Sequence, residues 1–176
     1  AVIKSRDVRA FMFAGQQPIG NDRDPDVPVP RMLLGAYLER IAKQLGDNAV
    51  ALKSYGEEGV DRLVSLRCRL IVEETSELLY AVARGDTVET ADAIADLLYV
   101  AIGAAITWGV DIDAVWAEVH RANMAKFKEC TVCRGCMDTF CATCAGTGSV
   151  LVTDASGKVS KPVGWRPPDV AGVLRR

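Results

Sequence analysis

Six carboxylates, Glu73, Glu74, Glu77, Glu89, Asp92 and Asp96, stand in the stretch VEETSELLYAVARGDTVETADAIADLLY (residues 72–99) among residues whose apolar character suits an interior. A helix predicted over 60–84 carries an inward stripe through Leu63, Leu66 and Leu70, and the same face continues through Glu73, Glu74 and Glu77 to Ala81. In the helix predicted from 87 to Trp108, Glu89, Asp92 and Asp96 are spaced by three and four and share a face, with neighbouring Cβ atoms roughly 5–6 Å apart. The short Gly85-Asp86 link makes the two helices antiparallel neighbours, so the acidic faces meet. Taken singly, each acid has an ordinary account: Glu73 and Glu74 solvated, Glu89 closing a cap with Asp86, Asp92 bonded to a neighbouring helix. Six together on facing helices call for a cation, because an unpaired buried ion costs several kcal/mol. An all-oxygen donor set suits Mg²⁺, with Mn²⁺ as a substitute.

A second constellation lies downstream, where Cys130-x2-Cys133-x2-Cys136-x4-Cys141-x2-Cys144 gathers five of the six cysteines. In a chain with no export signal at its start, this clustering favours a metal over disulfides. Two C-x-x-C knuckles supply four thiolates for a tetrahedral structural Zn²⁺, and the glycine after each lets backbone amides turn toward sulfur. Cys130, Cys133, Cys141 and Cys144 are the expected ligands, with Cys136 spare or an alternate. An iron–sulfur cluster or an oxidised pair are the rival readings. Cys68, alone in a helix, reads as a packing side chain.

The elements that must position these groups follow from periodicity and breakers. A helix within 1–14 precedes the Pro-rich loop GQQPIGNDRDPDVPVP (15–30); an amphipathic helix spans 31–45 and ends at Gly46, and a further one runs over about 47–55. Residues 91–108 hold only Asp92 and Asp96 as charges, so that helix is expected to be buried nearly all round. A helix over 112–127 opens on Asp-Ile-Asp, SVLVTDASGKVS (149–160) reads as a β-hairpin, and KPVGWRPPDV as an extended tail. The chain therefore divides into an elaboration at 1–59, a helical core at 60–127, a cysteine module at 128–148 and a hairpin with tail at 149–176.

With 176 residues, 49% hydrophobic, 25% charged and a net charge of -2, the chain has the make-up of a globular protein with no basic surface that would imply nucleic acid. Asp92 and Asp96 interrupt the longest apolar run, so no membrane partner is expected. The charged start AVIKSRDVRAFMF lacks a signal-peptide core, and a cytoplasmic protein of a bacterium or a phage-infected cell is expected.

The E-E-x-x-E of Glu73, Glu74 and Glu77, followed by the E-x-x-D of Glu89 and Asp92, resembles the signature of the MazG-like all-α nucleoside triphosphate pyrophosphohydrolases. RLIVEETSELLYAVARGD, ADAIADLLYVAIGAAITWGVDIDAVWAEVHRANMAKF and GKVSKPVGWRPPD resemble the phosphoribosyl-ATP pyrophosphohydrolase-like branch common in bacteriophages. The resemblance implies an all-α MazG-like helical bundle, here with a small zinc-binding insert and a short C-terminal β-hairpin. It implies Mg²⁺-dependent cleavage of a (deoxy)nucleoside triphosphate between the α and β phosphates, giving the monophosphate and pyrophosphate. By it, Glu74, Glu77, Glu89 and Asp92 are the Mg²⁺ ligands, and Glu73, Glu74 and Asp96 the catalytic carboxylates. Glu73 is then a further ligand or orients water. A second registration puts Asp96 last but sets Ala93 where a Glu belongs. The wording HRxNMxK matches His120, Arg121, Asn123, Met124 and Lys126 and implies that Asn123 and Lys126 contact substrate phosphates or metal; His120 reads as a packing residue. Relatives assemble as dimers or tetramers, so a homo-oligomer is expected, and guanine nucleotides (dGTP or GTP) are candidate substrates. Two alternatives stand beside this reading: hydrolysis of phosphoribosyl-ATP, and a non-catalytic zinc-stabilised interaction protein.

Overall fold

A computed structural model of the chain describes residues 5–17, 19–20, 23–55, 59–135, 141–150, 152–154 and 158–175. Among them the elements are α1 (Ser5–Ala14), α2 (Met32–Lys53), α3 (Gly59–Arg84), α4 (Thr87–Thr107), α5 (Ile112–Met124), β1 (Lys128–Glu129), β2 (Ser149–Val150) and α6 (Val170–Leu174). The protein is mostly helical with one short antiparallel strand pair, as the sequence implies. Contacts divide it into two compact units, residues 21–109 and residues 1–20 with 110–176.

In the unit 21–109, α3 packs against both α2 and α4. The turn between α3 and α4 takes only two residues. Gly85, at φ +65, donates to Val82 O and Asp86 donates to Ala81 O, which satisfies the last carbonyls of α3. A Cβ at Gly85 would also lie 2.5 Å from Val29 Cγ2, so glycine is required twice over. Asp86 then caps α4, accepting from the amides of Val88 and Glu89 at 3.1 Å. This fixes the antiparallel register on which the meeting of the acidic faces depends.

Four expectations are corrected here. The helix expected to stop at Gly46 runs on to Lys53. A Cβ at Gly46 would touch Ser76 Oγ at 3.4 Å and one at Gly35 would touch Ala83 O at 3.4 Å, so α2 uses glycine for close approach to α3 and not as a stop. Ser76 exploits that approach, donating to Ala42 O at 2.7 Å. Leu63 and Leu66, expected to point inward, are exposed; the interior is built from Ala42, Ala49, Ala81, Ala83, Ala93, Ala104 and Ala105. Nor is α4 buried all round, since Ile94, Leu98, Tyr99 and Ile106 are open and its buried residues are the small Thr90, Ala93, Ala104 and Ala105. By length and hydropathy alone α4 also suffices to cross a membrane, which the sequence reading did not allow. Asp92 and Asp96 count against that use, a charge at mid-bilayer costing about 2.5 kcal/mol or more.

In the other unit, α1 and α6 both pack on α5. Phe11 meets Phe127 edge to face at 5.1 Å, and Trp116 Nε1 donates to Asp7 Oδ2 at 3.1 Å. The strand pair differs from the expected hairpin at 149–160: β2 pairs with β1, across the cysteine module, in the register Lys128–Val150 and Glu129–Ser149. Of the expected pairing there is an isolated Thr153–Val159 bridge, with Ser160 N donating to Val152 O at 2.7 Å, while the turn expected at 155–157 lies outside the described residues. The tail is extended only as far as Asp169, whose side chain accepts from Gly172 N at 2.9 Å and starts α6.

Candidate functional site

The α3–α4 pairing brings five of the six predicted carboxylates into one electrostatic neighbourhood. Burial and the charges of Glu77, Asp96, Glu73 and Asp92, in that order, raise the Glu74 carboxyl above its ordinary value. Glu74 is half-buried, while Glu77, Asp92 and Asp96 are exposed. Among the described residues, no Lys or Arg stands within ion-pair distance of these four. Negative charge held together without a protein cation, offered entirely by oxygen, fits a hard divalent ion such as Mg²⁺. Glu89 is placed differently. It lies in the exposed first turn of α4, its amide bonded to Asp86, and it is not among the charges acting on Glu74.

Glu73 has its own partner, Arg69 Nη1 at 3.0 Å one turn earlier. Together with Glu77, Lys53, Asp47, Gly46 and Ser76, the pair lines a cleft of about 420 Å³ between α2 and α3. Sequence reasoning missed Arg69, although its (i, i+4) spacing to Glu73 is the signal that finds such a pair. It also missed Arg67, whose buried Nε has no hydrogen-bond partner and whose Nη1 would meet a Cβ at Gly103 of α4 at 3.1 Å. Arg67 precedes Glu74 by seven residues, so it lies two turns, roughly 10 Å, along the same face.

The cysteine module is closed where the carboxylates are open. The Sγ atoms of Cys130, Cys133, Cys141 and Cys144 all lie within 4.8 Å of one another. Cys130 and Cys141 are 3.8 Å apart and Cys133 and Cys144 3.6 Å, against the ~3.8 Å that tetrahedral coordination at a Zn–S bond of about 2.3 Å requires. None of the four is joined in a disulfide, whose sulfurs stand about 2.05 Å apart. Both knuckles repeat one backbone device. The residue after the second cysteine takes a left-handed conformation (Arg134 φ 51, Ala145 φ 47) and a glycine follows in the same region (Gly135 φ 69, Gly146 φ 80). The amides of Cys144 and Thr143, turned toward Cys141, bring its thiol down to about 7 despite burial. Burial and the surrounding sulfurs of Cys144, Cys130 and Cys141 push Cys133 up to about 12. Four thiols clustered this closely suit a metal ion that replaces their protons. Cys136, the alternate ligand, lies outside the described residues.

Asn123 and Lys126 belong to the unit of α5 and are coupled to each other, Lys126 Nζ donating to Asn123 Oδ1 at 2.8 Å. His120 stands with Nε2 4.0 Å from Asp7 Oδ1 and lines a small cavity with Phe11, Trp116 and Asn123.

With this geometry in place, comparison with known proteins gives the chemical class. Residues 42–123, just under half of the chain, match a family of pyrophosphohydrolases, hydrolases of the phosphoanhydride bond. The family is the one described as phosphoribosyl-ATP pyrophosphohydrolase, and the match over these residues is consistent with the MazG-like resemblance. The matched stretch contains all six carboxylates and ends at Asn123, leaving Lys126 and the cysteine module outside. No curated protein and no solved structure matches the chain.

Proposed function

We propose that the protein is a Mg²⁺-dependent pyrophosphohydrolase of (deoxy)nucleoside triphosphates, cleaving between the α and β phosphates to release a monophosphate and pyrophosphate. The observation that carries this reading is the half-buried Glu74, ringed by Glu77, Asp96, Glu73 and Asp92, of which, among the described residues, only Glu73 has a cationic partner, Arg69. Glu74, Glu77 and Asp92 would hold the metal, with Asp96 beside them; Glu89, in the adjoining turn of α4, completes the set that the family resemblance implies. When bound, Mg²⁺ supplies charge neutralisation of the phosphoryl oxygens and a lowered pKa for water. The chain's own contribution is positional. The two-residue turn fixes α4 against α3, so the carboxylates are assembled before substrate arrives. Arg69 holds Glu73 at the mouth of the α2–α3 cleft, where its free oxygen can accept a proton from water. In this account the cysteine quartet is a structural Zn²⁺ site, because all four positions are filled by protein sulfur.

Purified protein incubated with each (d)NTP, with Mg²⁺ and without, and resolved by ion exchange tests the reading: monophosphate and pyrophosphate appear only with the metal. Guanine nucleotides are the first substrates to try. Phosphoribosyl-ATP belongs in the same panel, since the matching family model carries that substrate in its description. We also propose that the chain works as a homo-oligomer. Tyr99 is 80% and Ile106 71% exposed on α4, an apolar face that a second copy would cover.

A further inference from the structure

One cluster of ionisable groups stays outside the carboxylate chemistry, and it is cationic. Lys126 Nζ stands 5.6 Å from the ring centroid of Phe11 and 5.8 Å from that of Trp165, while Lys161 Nζ stands 4.7 Å from the same Trp165 ring. The indole is pinned, its Nε1 donating to Ala122 O at 2.7 Å. Among the described residues, no carboxylate comes within ion-pair distance of Lys126, Lys158 or Lys161. Burial, with the positive charges of Lys161 and Lys158, holds the Lys126 ammonium below its ordinary value. Three like charges thus act on one another around Trp165, with Asp154 Oδ1 accepting from the backbone amide of Lys158 at 3.0 Å.

A cavity of about 170 Å³ adjoins this cluster, lined by Val8, Phe11, Trp116, Val119, His120 and Asn123. Two residues are common to both: Phe11 carries Lys126 on its ring, and Asn123 accepts the Lys126 hydrogen bond. With Oδ1 accepting from Lys126, the Asn123 amide nitrogen offers its two donors. The cavity is smaller than the ~300 Å³ usual for a drug-sized ligand, so it admits a ring but not the charged chain attached to it.

We propose that Lys126 and Lys161, gathered on Trp165, bind the phosphate chain of a nucleotide whose heterocycle enters the cavity between Phe11 and Trp116. The choice of a nucleotide rests on the hydrolase reading above; the anion site rests on the lysines and Trp165 alone. Cation–π contact holds both ammonium groups in place before the anion arrives, so little side-chain freedom is lost on binding. Lys161 and Trp165 lie beyond the stretch that matches the family model, so the tail contributes a binding element of its own.

Calorimetric titration of the zinc-loaded full-length protein, without magnesium, tests this with three probes: a dNTP, inorganic triphosphate and a nucleoside. The Lys161→Gln variant is expected to weaken dNTP and triphosphate about tenfold, the loss of one charge-assisted contact, and to leave the nucleoside unchanged. Lys161→Arg restores most of the affinity, and in turnover assays Lys161→Gln raises KM while kcat holds. Unchanged dNTP and triphosphate affinity in Lys161→Gln, or their loss in Glu77→Gln instead, overturns the proposal. Turnover by the wild type with Lys161→Gln indistinguishable from it in binding and KM rejects this site and leaves the hydrolase standing. Anion binding that depends on Lys161 in a protein that hydrolyses nothing keeps the site and rejects the hydrolase.

Discussion

The cysteine quartet and the carboxylate seam both gather like groups that repel or compete, and they solve the problem in opposite ways. Cys130 and Cys144 are fully buried, the sulfurs are already at coordination spacing, and two repeated turns hold them there. Glu77, Asp92 and Asp96 are exposed on two helices, and burial together with the charges of Glu77, Asp96, Glu73 and Asp92 raises the Glu74 carboxyl. A site closed by its own four ligands has no position left for substrate and contributes folding energy; a site left open to solvent keeps positions for water and phosphate. On the proposed reading, the closed quartet suits a structural metal and the open seam a catalytic one.

The comparison breaks most sharply on catalysis. Glu77→Gln is expected to lower kcat/KM by about 10³-fold, the scale of losing charge stabilisation at a reacting phosphate, with zinc content and the circular dichroism spectrum unchanged. A variant with zinc lost and turnover kept would invert the assignment. Next in size, Cys144→Ser should empty the zinc site by elemental analysis and lower Tm by about 10 °C or more, since a structural zinc contributes folding free energy outright. Tyr99→Asp on α4 should shift the particle to a smaller mass in light scattering if the exposed apolar face joins copies, with Tm falling in step with protein concentration.

The smallest effect is the most specific to the seam. A carboxyl whose folded pKa is raised binds its proton more readily folded than unfolded, so its ionised form costs stability above that pKa and the cost vanishes as pH falls through it. In magnesium-free protein, Glu74→Gln should therefore raise Tm by about a degree or two at pH 7 and by nothing at pH 4. A thermal-shift series across pH reads both; equal effects at the two pH values would place Glu74 outside the cluster.

How much of this was legible in the sequence depends on range. Local signals were read well: Gly85-Asp86 as stop and cap, Asp111 as cap of α5, the two C-x-x-C knuckles as one quartet. These rest on backbone rules that act within a few residues. What failed required knowledge of the neighbour. Gly46 is a stop or a contact surface according to whether Ser76 lies opposite, and the sequence around Gly46 carries no trace of it. Leu63 and Leu66 sit on an apolar stripe, yet both are exposed, and the buried hydrophobic residues of α2, α3 and α4 are alanines. The pairing of β2 with β1, and not with the segment just after it, was hidden because both choices offer short polar strands. The seam followed from helical spacing, but the ordering within it did not: Asp96 acts on Glu74 more strongly than Asp92, a consequence of register that only the fixed turn supplies.

The central claim is that the open carboxylates, and not the thiols, hold the exchangeable divalent ion. Electron paramagnetic resonance of Mn²⁺ titrated into zinc-loaded wild type and Glu77→Gln measures this directly. Bound manganese in the wild type, released by Mg²⁺ and lost in Glu77→Gln while zinc stays at one per chain, is the predicted result. Manganese binding that survives Glu77→Gln undiminished, or that displaces zinc, contradicts the account.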